Sequence, residues 1–368
     1  MLHPYRATRN DLSIILITTL ALVIIGLLFI YSSSSVYALE HFGTSLYFVK
    51  KQLIGLCVGF IAFIIACMIP VEVVKRYCPL FFFAALGLTA LTLVPGLSQH
   101  INGSSRWINL YGFVFQPSEL LKIALILYIV HFITKNQKRT SSFINGYVPP
   151  LIIVGITSLI LLKQPDFGLT VTLIITIFAL FFIAQFYTLY LALTMAAMIP
   201  AGIALIMFKT YRLKRVLTFL NPWDDPQGAG FQIIQSLIAI GSGHIMGLGI
   251  AQSKQKFFYL PMQHTDFIFS IIAEETGFIG CLTIITLYMI LLYTGLKLAW
   301  QLTDPFCTLS SIGFVLLINL QALINLAVTT GLVPTKGIGL PLVSYGNTAL
   351  VCNLAMIGLM VRMVKESR

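Results

Sequence analysis

The sequence predicts an all-α integral membrane protein with about ten transmembrane helices, and two observations support this prediction. Of 368 residues, 58% are hydrophobic and only 10% are charged, whereas an average soluble domain has about 25% charged residues. A soluble globule could not hide so much apolar surface, because its outside must meet water. Uncharged runs such as the one from Leu12 to Tyr31 are long enough to cross a hydrocarbon core about 30 Å thick.

Ten hydrophobic segments follow one another along the chain, and we expect each to form a helix. They lie at about 12–32, 51–70, 79–96, 118–134, 147–163, 168–185, 188–208, 267–293, 307–331 and 342–362. We therefore treat 1–368 as a single polytopic membrane domain. Because the number of crossings is even, both termini are expected on the same side of the membrane.

Positive charge predicts which side that is. With both termini in the cytoplasm, the inner loops and ends carry most of the Lys and Arg residues, including Lys135, Lys138 and Arg139. The short outer loops then carry few. This distribution indicates that both termini are cytoplasmic. Topology and anionic lipid also explain the net charge of +11 better than nucleic acid does.

The one long loop, 209–265, is then extracytoplasmic and strongly basic. Its charged residues are Lys209, Arg212, Lys214, Arg215, Lys254 and Lys256, against Asp224 and Asp225. Such a charge would attract an anionic ligand, although anionic lipid headgroups are the alternative partner. Within the loop, the apolar stretch from Phe231 to Gly241 is too short to span a membrane, and it predicts a re-entrant or interfacial helix.

One acidic residue stands at the outer end of the eighth segment. Asp266 follows His264 and Thr265 directly before the apolar run. It could cap the helix, because a carboxylate satisfies exposed amides and suits the positive end of the helix dipole. It could also act as a general base that accepts a proton from a sugar hydroxyl. The two roles are compatible.

Other charged residues lie inside the apolar segments, where they are costly and therefore candidates for function. Glu274 and Glu275 point about 100° apart on a helix, so we do not expect them to share one ligand; one should pair with a buried cation. Glu119 and Lys122, three residues apart, can form an ion pair. That pair would line a water-filled cavity or form an internal bridge, and Lys122 could instead pair with one of the two glutamates.

Two further motifs contribute polar groups. In QPDFG, from Gln164 to Gly168, Pro and Gly favour a turn, and Asp166 could face an outer cavity. Gln321 and Asn325, four residues apart in the ninth segment, are suited to interhelical hydrogen bonding. The six cysteines and six histidines are scattered, so the sequence offers no dedicated metal site. These features fit an enzyme acting on a lipid phosphate, and they also fit a transporter.

Seven motifs in order resemble one family. They are GSSRWI at Gly103, QPSELLK at Gln116, QPDFG at Gln164, NPWDDPQGAGFQIIQS at Asn221, YLPMQHTDFIF at Tyr259, EETG at Glu274 and PTKGIGLPLVSYGNT at Pro334. From about Asp11 to Arg362 the chain is similar to the SEDS family (shape, elongation, division and sporulation), membrane glycosyltransferases that polymerise peptidoglycan. The NPWDDP and Pro-Thr-Lys-Gly stretches resemble the division-type branch (FtsW-like) more than the elongation-type branch (RodA-like).

The resemblance implies a substrate, a reaction and partners. The substrate would be lipid II, whose sugar hydroxyl attacks the anomeric carbon of a glycan linked to polyprenyl pyrophosphate, forming a β-1,4 bond with inversion. Asp266 matches the catalytic aspartate. The resemblance places the reaction at a bacterial plasma membrane, where positive charge for the leaving pyrophosphate would come from Arg212, Arg215, Lys254 and Lys256, with Arg106 at the rim of the cavity. Further substrate contacts would come from Glu119, Lys122, His264, Thr265, Lys336 and Ser344. A divalent cation, Mg²⁺ or Mn²⁺, could assist. A class B penicillin-binding protein and other divisome proteins would be the partners, with no nucleic acid involved.

Two positions depart from the family pattern. Met262 stands where the family often has Glu, and Asn347 and Thr348 replace the usual Gly-Ser after Gly346. Neither change touches Asp266. A lipid II flippase and a non-catalytic divisome scaffold remain the alternatives. A general base at the outer end distinguishes a polymerase from a flippase, and the many polar residues of the outer cavity argue against a scaffold as the sole role.

Overall fold

The computed structural model describes residues 9–95, 98–101, 104–110, 113–137, 142–207, 210–228, 230–256, 260–335 and 337–367. Helices dominate these ranges. They are α1 (Arg9–Phe42), α2 (Tyr47–Met68), α3 (Val71–Leu91), α4 (Pro117–Lys135), α5 (Val148–Lys163), α6 (Phe167–Ile183), α7 (Thr188–Met207), α8 (Thr210–Leu220), α9 (Phe231–Ser242), α10 (Ile268–Trp300), α11 (Pro305–Thr329) and α12 (Asn347–Glu366). The all-α membrane fold is confirmed.

Each of the ten predicted segments contains a helix, namely α1 to α7 and α10 to α12. Among the described residues, eight of these helices are long and apolar enough to cross a bilayer, where α5 is counted together with the π-helical turn Phe143–Tyr147 that leads into it. Helix α6 and the apolar part of α7 are shorter. Helix α1 ends at Phe42 instead of near residue 32. Its 34 residues span about 50 Å, so one end extends well beyond a hydrocarbon core of about 30 Å.

The core is built around α4 and α11, whose side chains are mostly buried. Helix α12 packs along α2, α3 along α4, and α1 along α10. Small residues permit the closest approach. A Cβ at Gly358 in α12 would lie 2.6 Å from the backbone oxygen of Phe63 in α2. Such contacts between backbones are typical of helix packing in membranes.

A small antiparallel sheet precedes α4 and was not predicted. Its strands are β1 (Gln99–Ile101), β2 (Ser104–Leu110) and β3 (Phe113–Phe115), in that order across the sheet. Two of them have only three residues, too few for an alternating pattern to be recognised in the sequence. The middle strand carries Arg106.

Helix α9 confirms the helix predicted at 231–241. It packs against α10 and α11, because the hydroxyl of Ser236 lies 2.6 Å from that of Ser270 and donates to the backbone oxygen of Thr329 at 2.6 Å. The chain after α9 lies against α10 at Gly277, where the helix is interrupted because φ is +65°. There the amide of Phe278 donates to the oxygen of His244 at 2.9 Å.

Candidate active site

Asp266 lies in a tight turn directly before α10. The N-cap of α10 is Phe267, and no side chain caps the helix. The predicted capping role of Asp266 is therefore wrong. The turn is closed by Met262, whose backbone oxygen accepts from the amide of Thr265 at 3.1 Å and from the amide of Phe267 at 3.3 Å.

A second loop, 331–346, covers this turn and is fastened to it by side chains. The hydroxyl of Ser344 donates to the backbone oxygen of Thr265 at 2.5 Å and accepts from the amide of Leu340 at 2.7 Å. Gly337 lies above the carboxylate, so that a Cβ there would be 3.5 Å from Oδ2 of Asp266. Thr265 and Ser344, both predicted to bind substrate, thus join the two loops that enclose Asp266.

Asn325 of α11 forms hydrogen bonds with both loops. Its side-chain Nδ2 donates to the backbone oxygen of Asp266 at 2.7 Å and to that of Ile338 at 2.7 Å. The interhelical role predicted for Asn325 is thus replaced by hydrogen bonds from a helix to two loops. Sequence periodicity places the residue on a helix face but gives no information about which loop lies beside that face.

Arg106 of β2 is fixed beside the turn between α5 and α6. Its guanidinium donates to the backbone oxygens of Gln164 at 3.1 Å and Pro165 at 2.6 Å, and lies 3.5 Å from Oδ2 of Asp166. Asp166 caps α6 by accepting from the amide of Leu169 at 3.2 Å. The predicted turn is confirmed, and Arg106 is held by it.

Arg215 of α8 brings the basic loop to the same place. Its guanidinium donates to the backbone oxygen of Thr335 at 3.1 Å, in the loop that carries Gly337. Lys254 is exposed, whereas the side chain of Arg212 and the whole of Lys336 lie outside the described part of the structure. Of the predicted cations, Arg106 and Arg215 act electrostatically on Asp266.

The surroundings of Asp266 change its acidity. Burial raises the pKa of this carboxyl group to about 6, while the charges of Arg106 and Arg215 lower it and Asp166 raises it. Burial likewise raises the pKa of Asp166, against the neighbouring Arg106. A carboxyl group with a pKa close to neutral pH is suited to accept and return a proton.

His264, two residues before Asp266, lies among aromatic rings. Its ring centroid is 4.3 Å from that of Phe48 and 5.7 Å from that of Tyr345. Burial lowers the pKa of His264 to about 4, so the imidazole is neutral at physiological pH. At this position the neutral ring offers an apolar, stacking surface instead of a charge.

Glu119 and Lys122 form the predicted ion pair inside the helix bundle. The carboxylate and the ammonium group are 2.6 Å apart. The ammonium group also donates to the side-chain oxygens of Gln321 at 3.3 Å and Asn353 at 3.5 Å. The alternative pairing of Lys122 with an acidic residue of α10 is therefore wrong. Because Lys122 is only 1% exposed, its position favours an internal bridge over direct substrate contact.

Glu275 holds the chain that follows α9. Its carboxylate accepts from the hydroxyl of Ser32 at 2.6 and 2.8 Å, from the amide of Ala251 at 3.0 Å and from the amide of Ser253 at 3.3 Å. The buried cation predicted for one glutamate is Lys256, 3.5 Å away. Since the Lys256 side chain is only 5% exposed, we remove it from the predicted phosphate-binding residues.

Glu274 holds the same stretch of chain. Its carboxylate accepts from the hydroxyl of Ser253 and from the amide of Lys254 at 2.9 Å. Ser253 thus contacts both glutamates, and that the two do not share one ligand stays a prediction. A serine has both an amide and a hydroxyl, so it can bridge two carboxylates that point in different directions. The run of serines at 32–35 within an apolar segment was a signal for the Glu275 contact.

The described residues give a divalent cation no evident site. No three side chains of His, Cys, Asp or Glu within those ranges are grouped as a metal ion would require. Asp266 and Asp166 are instead accompanied by arginines. We therefore derive no chemical step through a metal ion.

Comparison with known proteins identifies the family. A family model described as cell cycle protein, for FtsW, RodA and SpoVE, matches residues 12–368. The chain belongs to this family. The probable peptidoglycan glycosyltransferase FtsW of Trichlorobacter lovleyi is 41% identical over 97% of this chain and 94% of its own length. Stage V sporulation protein E of Bacillus subtilis is 38% identical over 99% of both chains.

Solved structures agree with this FtsW/RodA/SpoVE fold. One chain, from "Structural coordination of polymerization and crosslinking by a peptidoglycan synthase complex", has a TM-score of 0.79 and 28% identity, over 96% of this chain and 97% of that chain. The rod shape determining protein RodA of Thermus thermophilus has a TM-score of 0.70 and 24% identity over 96% of each chain. The second likeness concerns the fold alone.

Proposed function

We propose that this FtsW/RodA/SpoVE family member is a peptidoglycan glycosyltransferase that polymerises lipid II, with Asp266 as general base. The observation that supports the assignment most directly is the environment of Asp266. The residue does not cap α10, burial raises its pKa to about 6, and Arg106 and Arg215 act on it electrostatically. Relatives of nearly equal length are named as probable peptidoglycan glycosyltransferases.

In the proposed reaction, a sugar hydroxyl of lipid II attacks the anomeric carbon of the lipid-linked glycan. The hydroxyl proton passes to the Asp266 carboxylate as the new C–O bond forms. The bond between the anomeric carbon and the pyrophosphate oxygen breaks, and the polyprenyl pyrophosphate leaves with the electron pair. Such help from a general base contributes typically about 10²–10⁴-fold, because a neutral hydroxyl is a weak nucleophile.

The leaving pyrophosphate needs positive charge, which is worth most where water is excluded. Arg215, anchored at Thr335, and the exposed Lys254 are our candidates. Arg106 is better placed to adjust the acidity of Asp266, because its guanidinium is already held by the turn at Gln164 and Pro165. Arg212 and Lys336 remain sequence-based candidates for the same charge.

We also assign the chain to septal cell-wall synthesis, with both termini in the cytoplasm and loop 209–265 outside. The distribution of Lys and Arg supports this orientation. The structural relative described as a peptidoglycan synthase complex for polymerization and crosslinking supports a crosslinking partner, a class B penicillin-binding protein. Reporter fusions after residue 367 and within loop 209–265 test the orientation, and a C-terminal reporter active outside the cytoplasm would refute it.

The deciding experiment measures glycan polymerisation from labelled lipid II by the purified protein together with its partner. Asp266→Asn should lower the rate by about 10²–10⁴-fold while the protein stays folded. Asp224→Asn, an exposed acidic residue of the outer loop, is the matched control and should keep the wild-type rate. Equal rates for wild type and Asp266→Asn would refute the general base. An inactive wild type would refute the polymerase, and a liposome flipping assay would then test the transporter.

A further inference from the structure

A group of aromatic rings at one end of α1 and α2 extends to the two loops around the candidate base. We call it the aromatic group; its members are Tyr37, His41 and Phe42 of α1, Tyr47 and Phe48 of α2, and His264 and Tyr345 from the two loops around Asp266. Neighbouring ring centroids lie 3.8 to 6.1 Å apart. Three separate parts of the chain therefore place their rings together.

One end of the aromatic group is open and the other is buried. Phe42 is 46% exposed and His41 is exposed, whereas Phe48 is only 8% exposed. The buried end reaches His264 at a centroid distance of 4.3 Å, and His264 is two residues from Asp266. The rings thus extend from open solvent to His264, two residues before the proposed base.

The aromatic group stands beyond the hydrocarbon core. Helix α1 spans about 50 Å, against about 30 Å for the core. Its first apolar residues, from Leu12, would enter the core at the other side. The turns from Tyr37 to Phe42 then extend past the membrane, at the level of Asp266, because Tyr37 is packed near His264 at a centroid distance of 6.0 Å.

The arrangement differs from that of aromatic residues that anchor a protein in the membrane. Anchoring rings are distributed around the perimeter at the level of the headgroups. Here the rings stack in pairs, Tyr37 on His41 at 4.1 Å and Phe42 on Tyr47 at 3.8 Å. Two rings of the group belong to the loops around Asp266 and are joined there, since the amide of Tyr345 donates to the oxygen of His264 at 3.0 Å.

The chemistry of the aromatic group suits a pyranose. The face of an aromatic ring is negatively polarised, so it attracts the polarised C–H bonds on one face of a sugar. Polar atoms at the edges can bind sugar hydroxyls or an acidic substituent. The ammonium group of Lys51 lies 4.5 Å from the ring centroid of Tyr47. Nδ1 of His264 is buried and has no hydrogen-bond partner among the described residues.

We propose that the aromatic group is a carbohydrate site that stacks against sugar rings of the glycan strand near Asp266. The proposal rests on the function proposed above and adds a place for the polymer beyond the reacting sugars. A strand held there stays attached between successive additions. The aromatic group therefore determines the length of the product more than the rate of the first bond.

The probe is a lipid-free tetrasaccharide of alternating β-1,4-linked N-acetylglucosamine and N-acetylmuramic acid, observed by saturation-transfer NMR with the full-length protein in nanodiscs. Phe42→Ala should weaken its binding about three- to tenfold, as loss of one aromatic contact does. Phe42→Trp should restore binding, because it returns a ring. Phe42 is largely exposed, so these variants should fold, which thermal unfolding checks.

Tyr31→Ala is the matched control, since Tyr31 is 46% exposed on the same helix but is not a member of the aromatic group. It should leave tetrasaccharide binding unchanged. In the polymerisation assay, Phe42→Ala should shorten the glycan and Tyr31→Ala should not. If Phe42→Ala matches wild type in both assays, or if Tyr31→Ala has the same effect, the rings are membrane anchors and the proposal is wrong. Asp266→Asn should keep tetrasaccharide binding, which separates this site from the proposed catalysis.

Discussion

The side-chain amide of Asn325 donates a hydrogen bond to the backbone oxygen of Asp266 at 2.7 Å. The same nitrogen donates to the backbone oxygen of Ile338 at 2.7 Å. One buried side chain of α11 thus holds together the loop that carries the candidate base and the loop that covers it. The geometry of Asp266 depends on this contact as well as on its own chemistry.

Replacing Asn325 with Leu should lower both stability and activity. The change removes a buried donor and leaves two backbone oxygens unsatisfied, which costs about 1–3 kcal/mol for each group. Asn319→Leu is the control on the same helix, because its amide bonds only to the local backbone oxygen of Val315 at 2.9 Å among the described contacts. Thermal unfolding in detergent and the polymerisation rate measure the difference. Equal effects of the two variants would contradict the special role of Asn325.

The rate of polymerisation should rise with pH through about 6. A general base must be ionised, and burial raises the pKa of Asp266 to about 6. In wild type the guanidinium charge of Arg215 lowers the pKa of Asp266, which burial raises. The Arg215→Gln variant loses this charge, so the rise in rate should move to higher pH. Lys214→Gln, an exposed neighbour paired with Asp225 at 3.3 Å, should leave the position of the rise unchanged. A pH profile of kcat for Arg215→Gln that matches wild type would refute the assignment.

Asp266 should also make stability depend on pH. Because its pKa in the folded protein is raised from 3.8 to about 6, the folded state binds the proton more tightly than the unfolded chain does. The stabilising contribution is complete below about 4 and is lost as the pH rises through about 6. Asp266→Asn should therefore raise the melting temperature more at about pH 8 than at about pH 5. A gain that is the same at both pH values would count against a raised pKa of Asp266.

Replacing Glu275 should lower the stability of the protein more than replacing Lys256, the cation paired with it. Glu275→Ala leaves the hydroxyl of Ser32 and two backbone amides without their acceptor and the buried ammonium of Lys256 without its counter-ion, and breaking a buried ion pair costs about 3–5 kcal/mol. In Lys256→Met the carboxylate keeps its hydroxyl and amide donors, so the loss should be smaller. Thermal unfolding of the two variants gives the comparison. The reverse order would show that the ammonium, not the carboxylate, holds this stretch of chain.

Gly277→Ala should disrupt the packing of the chain after α9. Gly277 has φ of +65°, and a Cβ there would lie 2.5 Å from the backbone oxygen of Ile245. Gly155→Ala in α5 is the control, because a Cβ at that position meets no atom within 4 Å and alanine favours a helix. We expect a lower melting temperature and faster proteolysis after residue 242 for Gly277→Ala, and neither change for Gly155→Ala. A stable Gly277→Ala protein would mean that the break in α10 is not required.

Local rules explain which parts of the site could be predicted. Glu119 and Lys122 are three residues apart on one helix, and the turn at Gln164 to Asp166 follows from its Pro and Gly. By contrast, the Ser32 contact of Glu275 joins residues 243 positions apart. The arginine beside Asp166 comes from strand β2, whose residues do not alternate between apolar and polar as a recognisable strand would. Neither contact leaves a periodic signal.

By itself the sequence determined the membrane fold, the family and the candidate base. A hydrocarbon core demands long apolar helices whatever their neighbours are, and the ordered motifs reach from one end of the chain to the other. Only the tertiary structure decided that Asp266 does not cap its helix, that Lys256 is buried against Glu275, and that α1 and α2 bring their rings to His264. These relationships depend on contacts between distant residues, which packing determines and local sequence does not.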